Sequence, residues 1–123
     1  MSTWTKQDLD TLDRASEIRV AGRRQDGSAR TLVTVWHVVV DGALYVRSVY
    51  GPSGQWYKGV TRHHEGFVAW RSGDPRSVTY VPDRDHDEAI DAAYFKKYGR
   101  GAPSQHITSP EAKTTTLRVE PRS

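Results

Sequence analysis

The sequence predicts a mainly β protein of the α+β class, in which a few helices cover an antiparallel sheet. Runs of β-branched and aromatic residues are separated by turn signals, of which Asp26-Gly27 and Asp41-Gly42 are the strongest. The run from Thr31 to Val40 is apolar on both faces, which is typical of a central strand within a barrel or under a helix.

Five strands are predicted first, and their order along the chain suggests a meander. They are Glu17 to Ala21, Thr31 to Val40, Ala43 to Val49, Gly66 to Arg71 and Arg76 to Val81. Gly101 to Lys113 is predicted to be a loop, and Thr114 to Glu120 a last edge strand before a frayed tail. The core would then occupy about residues 4–99 of a single domain, 1–123.

Three segments are predicted to be helical: Lys6 to Ala15, Gln55 to Arg62, and a longer C-terminal helix that starts with a cap at Asp85 and ends at Gly99. In the first, Thr5 is the cap and Asp8 completes a capping-box-like pattern. The Gly-rich and Pro-containing segment Tyr50 to Gly54 immediately precedes the second helix.

Composition excludes several classes of site. The 123 residues contain no cysteine, which excludes disulfides, thiolate zinc sites and a cysteine nucleophile. No stretch approaches the roughly 20 apolar residues of a membrane span, so we expect a cytoplasmic protein. The formal charge of +3 is too small to indicate nucleic-acid binding but is compatible with an anionic small-molecule ligand. A small core with four Trp and six Tyr favours a homodimer.

One group of residues could hold a phosphate-bearing planar ligand. Arg47, Ser48 and Lys58 flank the glycine loop and could bind a phosphate, with Arg62 as a further cation nearby. Trp36 or Trp56 could supply an aromatic face for a ring. The structural alternative is that the cations are solvated and the tryptophans belong to the core, and the residue pattern by itself favours that alternative.

The order of these pieces resembles a known superfamily. The run from Arg23 to Gly59, with its DG turn, its strand pair TLVTVWHVVVDGALYVRS and WYKG after a glycine loop, is similar to the flavin-binding split barrels. These include pyridoxamine-phosphate-oxidase-like proteins and deazaflavin-dependent nitroreductases. Within them, the chain from Trp4 to Tyr98 resembles the bacterial domain of unknown function 2255.

The resemblance implies a six-stranded antiparallel split barrel with an N-terminal helix, a short helix after the third strand and a longer C-terminal helix. It also implies a dimer that binds FMN or a deazaflavin coenzyme, with haem less favoured and no metal, and an oxidoreductase activity on a small molecule. The residues then expected to contact the cofactor are Arg47, Ser48, Trp56, Tyr57, Lys58, Arg62, Trp36 and His37. His37 lies mid-strand and is either a satisfied buried histidine or a residue that faces the cavity.

Two other functional classes stay open at this point. One is a cofactor-free binding or structural dimer. The other is a single-stranded nucleic-acid module that stacks bases on an aromatic and basic face, namely Arg19, Tyr45, Arg47, Trp70 and Arg71, although the evenly mixed charge disfavours it. His63 and His64 are predicted to be a loop pair, and the acidic residues from Asp83 to Glu88 to cap a helix, so neither group is expected to bind a metal.

Overall fold

The computed structural model describes residues 4–70 and 73–122, and within these ranges it has seven strands and five α-helices. The strands are β1 (Ile18–Gly22), β2 (Val33–Val35), β3 (His37–Val40), β4 (Ala43–Val46), β5 (Glu65–Ala69), β6 (Arg76–Pro82) and β7 (Leu117–Pro121). The helices are α1 (Lys6–Arg14), α2 (Gln55–Thr61), α3 (Asp87–Tyr98), α4 (Ala102–Ile107) and α5 (Pro110–Lys113), and a 3₁₀ turn (Gly51–Ser53) joins β4 to α2. The predicted mainly β, α+β class is therefore confirmed.

The seven strands form one antiparallel sheet in the order β2-β1-β5-β6-β7-β4-β3. β2 and β3 are separated only by Trp36, yet they lie at opposite ends of this order, so the sheet closes into a nearly complete barrel. The predicted number of six strands is wrong for this reason. The run from Thr31 to Val40 was expected to be one strand, but its first part pairs with β1 and its second part with β4. A segment that pairs with two different strands has to change direction, and this one does so at Trp36, between β2 and β3.

The predicted meander is correct for the β1–β2, β3–β4 and β5–β6 pairs and wrong for the rest of the sheet. β1 pairs with β5, which places Val20 opposite Val68, and β7 inserts between β6 and β4. The C-terminal strand was expected at an edge, but Val119 of β7 lies opposite both Leu44 and Tyr80. Leu117 and Val119 are fully buried, so the core does not end at residue 99.

Two apolar clusters lie on opposite faces of β4. Leu44 and Val46 point into the barrel, where they join a cluster that also includes Val20, Val68 and Val119. Tyr45 points outward into a second cluster beneath α3, as the alternation along the strand predicts. Its other buried members are Val38, Ile90, Tyr94 and Ile107.

Capping residues and glycine predicted some of the helix ends correctly and misplaced one. Thr5 caps α1 as predicted, since its Oγ1 accepts a hydrogen bond of 3.0 Å from the Asp8 amide. α3 ends at Gly99, whose φ of +85° few other residues tolerate, but its N-cap is His86 and not Asp85. No helix within the described ranges is long and apolar enough to cross a membrane.

The predicted loop from Gly101 to Lys113 is wrong, because α4 and α5 occupy it. Each of these helices has a proline in its first turn, and Ser109 Oγ accepts from the Ala112 amide at 3.2 Å. A proline directly after a helix cap is a recognised start signal, so the sequence did carry the information for these two short helices.

Candidate functional site

A pocket of about 320 Å³ opens between β2, the end of β4, α2 and α4. Three of the predicted contact residues line it: Trp36, Arg47 and Trp56. The rest of the lining is mostly apolar and comes from segments far apart in the chain, including Val33, Val35, Val49, Tyr50, Pro103 and Ile107. A mostly apolar cleft with a few polar groups is the usual form of a small-molecule site, and its volume lies near the lower end of the roughly 300–1,000 Å³ range.

The two tryptophans border the pocket in different ways. One face of Trp36 is stacked on Tyr98, with ring centroids 3.9 Å apart and planes 4° from parallel, so only its other face and its edges are available to a ligand. Trp56 is half-buried on α2 and contacts Tyr57 edge to face. Trp56 is thus the less constrained aromatic wall.

Arg47 lines the pocket but is committed to protein partners. Its Nη1 lies 2.5 Å from Asp91 Oδ1 and its Nη2 lies 3.3 Å from Asp87 Oδ1. Further bonds run from Nε to Thr116 Oγ1 (2.9 Å), from Nη1 to the Ile107 carbonyl (3.3 Å) and from Nη2 to the Asp87 carbonyl (3.4 Å). All five N–H groups of a guanidinium are accounted for by these contacts.

Two side chains of the predicted base-stacking face are also buried in the protein. Tyr45 and Arg47 are 3% and 1% exposed, so they cannot stack a nucleic-acid base in this conformation. Trp70 is half-buried, and Arg71 lies outside the described residues. The predicted single-stranded nucleic-acid surface is therefore not formed by these side chains.

Ser48 lies next to Arg47 but is covered by the glycine loop. Its amide donates to Thr115 Oγ1 at 2.8 Å, and its buried Oγ has no hydrogen-bond partner within the described residues. Gly54 approaches so closely that a Cβ at this position would contact Ser48 Oγ. The glycine loop is thus a packed segment over the serine.

The remaining predicted cations lie on α2 but do not line the pocket. Lys58 and Arg62 are exposed, and Lys58 is two residues from Trp56, a spacing that puts side chains on different faces of a helix. Tyr57 is half-buried against the barrel core. The structure therefore brings Trp36, Arg47 and Trp56 together and leaves Ser48, Tyr57, Lys58, Arg62 and His37 outside the pocket lining; their contacts with a ligand stay predictions.

A second, more polar pocket of about 380 Å³ adjoins the first, since Glu17 and Thr34 line both. Its other lining residues include Arg14, Ser16, Arg19 and Trp70. Arg14 is exposed at the end of α1, where its Nε donates to the Asp10 carbonyl at 3.2 Å. The sequence did not single out Arg14, because only the folded chain brings residues 14–19 together with Thr34, Ala69 and Trp70.

His37 is completely buried. It is the first residue of β3 and follows Trp36, which separates β3 from β2 in the sequence. Its Nε2 is 2.6 Å from the Leu12 carbonyl oxygen, which makes Nε2 the donor, and 3.2 Å from Lys97 Nζ. Burial and, to a smaller extent, the Lys97 charge lower the pKa of His37 to about 4, and the bond to Leu12 opposes this shift only in part. Of the two predicted alternatives, the structure places His37 in the protein interior and not in the pocket.

No group of three or more potential metal-ligating side chains that could hold an ion occurs in the described part of the chain. The acidic segment before α3 is instead used for internal bonds. Asp83 pairs with Arg118 at 2.8 Å and with His86 at 3.0 Å, and it accepts from the Asp85 amide at 2.9 Å.

The buried ion pairs of Arg47 give a direct stability prediction. Arg47→Met should lower the free energy of unfolding by about 3 kcal/mol, because Asp87 and Asp91 then face each other without the cation between them. Arg84→Met is the matched control: Arg84 also pairs with Asp87, but it is largely exposed, and its loss should cost no more than about 1 kcal/mol. Urea unfolding followed by circular dichroism measures both, and equal losses would contradict the assignment.

The depressed pKa of His37 predicts acid sensitivity. The unfolded chain binds a proton at this histidine with a pKa of 6.5, whereas the native chain does so only near 4. The contribution of neutral His37 is therefore complete above pH 6.5 and is lost as the pH falls towards 4, by about 3 kcal/mol in all.

His37→Gln should flatten this part of the profile of unfolding free energy against pH. His106→Gln, which changes an exposed histidine, should leave the profile as it is in the unaltered protein. If both variants keep the same slope between pH 6.5 and 4, His37 does not have the lowered pKa.

Solved structures share this fold at low sequence identity. A conserved hypothetical protein, Rv2991 from Mycobacterium tuberculosis, matches with a TM-score of 0.61 and 14% identity over 99% of this chain and 82% of that one. A proposed 5-nitroimidazole antibiotic resistance protein from Bacteroides thetaiotaomicron matches at 0.58 and 16%, over 98% and 81%. An F420 reductase matches at 0.56 and 17%, over 93% and 92%. At these identities the likeness concerns the fold alone, and it agrees with the split-barrel architecture.

No curated protein matches the chain. A family model does match, over residues 8–119, and it confirms the resemblance drawn from the strand pair and the WYKG segment. The chain belongs to the uncharacterized proteins conserved in bacteria that form the family DUF2255.

Proposed function

We propose that this protein binds a flavin or deazaflavin coenzyme in the apolar pocket and acts as an oxidoreductase on a small molecule. The observation that carries the proposal is the pocket lined by Trp36 and Trp56, because it offers a mostly apolar cleft on a fold shared with an F420 reductase. When bound, such a coenzyme supplies the redox chemistry, and the protein supplies binding, orientation and exclusion of water.

The pocket suits a planar ring better than it suits a phosphate. Trp56 and the free face of Trp36 can pack against a ring, and Val35 and Ile107 exclude water around it. Arg47 is the cation in the lining, but its donors are held by Asp87 and Asp91.

The phosphate-bearing end of the coenzyme is better served by the adjoining polar pocket. Arg14 and Arg19 line it together with Ser16, and it shares Thr34 with the ring pocket. A guanidinium forms strong charge-assisted hydrogen bonds with phosphate oxygens. We therefore assign the phosphate to this second pocket in preference to Lys58 and Arg62, the cations that the sequence suggested.

Titration with riboflavin, FMN and the deazaflavin coenzyme F420, followed by quenching of tryptophan fluorescence, tests the proposal. Trp56→Leu should weaken all three ligands, because each presents a ring to this wall. Arg14→Gln should weaken FMN by about tenfold and leave riboflavin unchanged, since riboflavin lacks the phosphate. Lys58→Gln is the matched control, and it should change neither affinity.

The outcomes distinguish the residues that bind the ring from those that bind the phosphate. If Lys58→Gln weakens FMN and Arg14→Gln does not, the phosphate belongs on α2, as the sequence suggested. If none of the three ligands binds saturably to the unaltered protein, the flavin proposal fails and a cofactor-free binding function takes its place.

The same surface supports the proposal of a homodimer. Val33, Val49 and Tyr50 line the pocket and are 37%, 41% and 78% exposed, an unusual placement for large apolar side chains. A second subunit seated over the pocket mouth would cover them. Tyr50→Glu should then shift sedimentation equilibrium from dimer to monomer, and an unaltered protein that is monomeric at every concentration would exclude the dimer.

A further inference from the structure

Lys97 is a half-buried amine near the end of α3 and is not among the residues that line the coenzyme pocket. Its Nζ lies 3.2 Å from His37 Nε2 and 3.5 Å from the Leu12 carbonyl oxygen. The Tyr98 ring is also close, with its centroid 5.4 Å from Nζ. The amine thus contacts neutral groups from α1, β3 and its own helix, and the Asp13 carboxylate of α1 lines the same groove.

The charge of Lys97 has little compensation in this position. Within residues 4–70 and 73–122, no carboxylate forms an ion pair with its Nζ. His37 does not compensate it either, since its Nε2–H is directed at the Leu12 carbonyl 2.6 Å away. Burial lowers the pKa of the Lys97 amine, and the more distant Asp13 opposes this effect only partly. A larger fraction of neutral, nucleophilic amine follows.

Lys97 also borders a groove between β3 and α3, which we call the β3–α3 groove. It has a volume of about 490 Å³, and its walls include Val38, Val40, Ala92, Ala93, Lys96 and Lys97. Valine and alanine side chains make one part of the walls apolar, Asp13 and the two lysines make the other part polar, and the groove is large enough for a small organic molecule. An activated amine and a site for an apolar body thus lie side by side.

We propose that Lys97 is a nucleophilic amine that forms an imine with small aldehydes or ketones whose apolar body enters the β3–α3 groove. The neutral amine adds to the carbonyl carbon, a C–N bond forms, and the carbonyl electron pair moves to oxygen. A proton passes from nitrogen to that oxygen, and loss of water gives the imine. The step is reversible, and its products are imine and water.

Reductive trapping on the intact, folded protein tests this site. Isobutyraldehyde and sodium cyanoborohydride at pH 7 convert an imine into a stable secondary amine, and peptide mass mapping gives the rate at each lysine. Lys97 should be modified several-fold faster than Lys96, its exposed neighbour on the same helix. Denaturation in urea should abolish this preference, because both amines are then solvated.

The groove is tested by changing the aldehyde. Formaldehyde has no apolar body, so the preference for Lys97 over Lys58, an exposed lysine on α2 outside the groove, should be smaller with it than with isobutyraldehyde. An equal preference with the two reagents would show that the groove does not take up the apolar body, and would overturn the proposed substrate class.

Two conservative variants complete the test. Lys97→Arg keeps the charge and should remove the dominant adduct, whereas Lys58→Arg, which changes an exposed lysine on α2 outside the groove, should retain it, with circular dichroism to verify folding. Modification of Lys97 at a rate equal to or below that of Lys96 in the unaltered protein would overturn the proposal, and this measurement decides the matter even if Lys97→Arg does not fold. None of these outcomes depends on coenzyme binding.

Discussion

The fully buried guanidinium of Arg47 joins the barrel to its helical layer. It leaves the end of β4 and reaches Asp87 and Asp91 on α3, the Ile107 carbonyl at the end of α4, and the Thr116 hydroxyl just before β7. A buried cation that loses a partner costs several kcal/mol, so these segments have to be in place together. This one side chain ties the strand that forms the pocket wall to the helices that complete it.

That constraint also shapes the candidate site. Because Arg47 holds the end of α4, Pro103 and Ile107 close one side of the pocket. The charge that holds them is largely neutralised by the two aspartates, which leaves the pocket apolar in character and suited to a ring. An anionic end of the same ligand then has to find its cation elsewhere, and the adjoining polar pocket with Arg14 offers one.

The charged side chains near the two ends of α3 differ in whether they form ion pairs. Near its start, Asp87 and Asp91 are matched by Arg47, and Lys113 adds a further contact to Asp91 at 2.9 Å. Near its end, Lys97 lies against His37, and among the described residues no carboxylate forms an ion pair with its amine. Networks in which every charge is paired stabilise a fold, whereas an uncompensated buried charge weakens it and marks a place where chemistry is favoured. The C-terminal end of α3 is where we propose such chemistry.

The sequence by itself determined the local features: the Thr5 cap, the turn at Asp41-Gly42, the end of α3 at Gly99, and the alternation that separates Leu44 from Tyr45 along β4. It also carried the family resemblance and the tryptophans of the pocket. These features depend on neighbours a few residues apart, which periodicity and capping rules describe. Only the tertiary structure decided the bend at Trp36, the central position of β7 and the partners of Arg47, which lie 40 to 69 residues away in sequence. Local propensity does not specify which distant strand or carboxylate a segment will contact, because that contact depends on the packing of the whole chain.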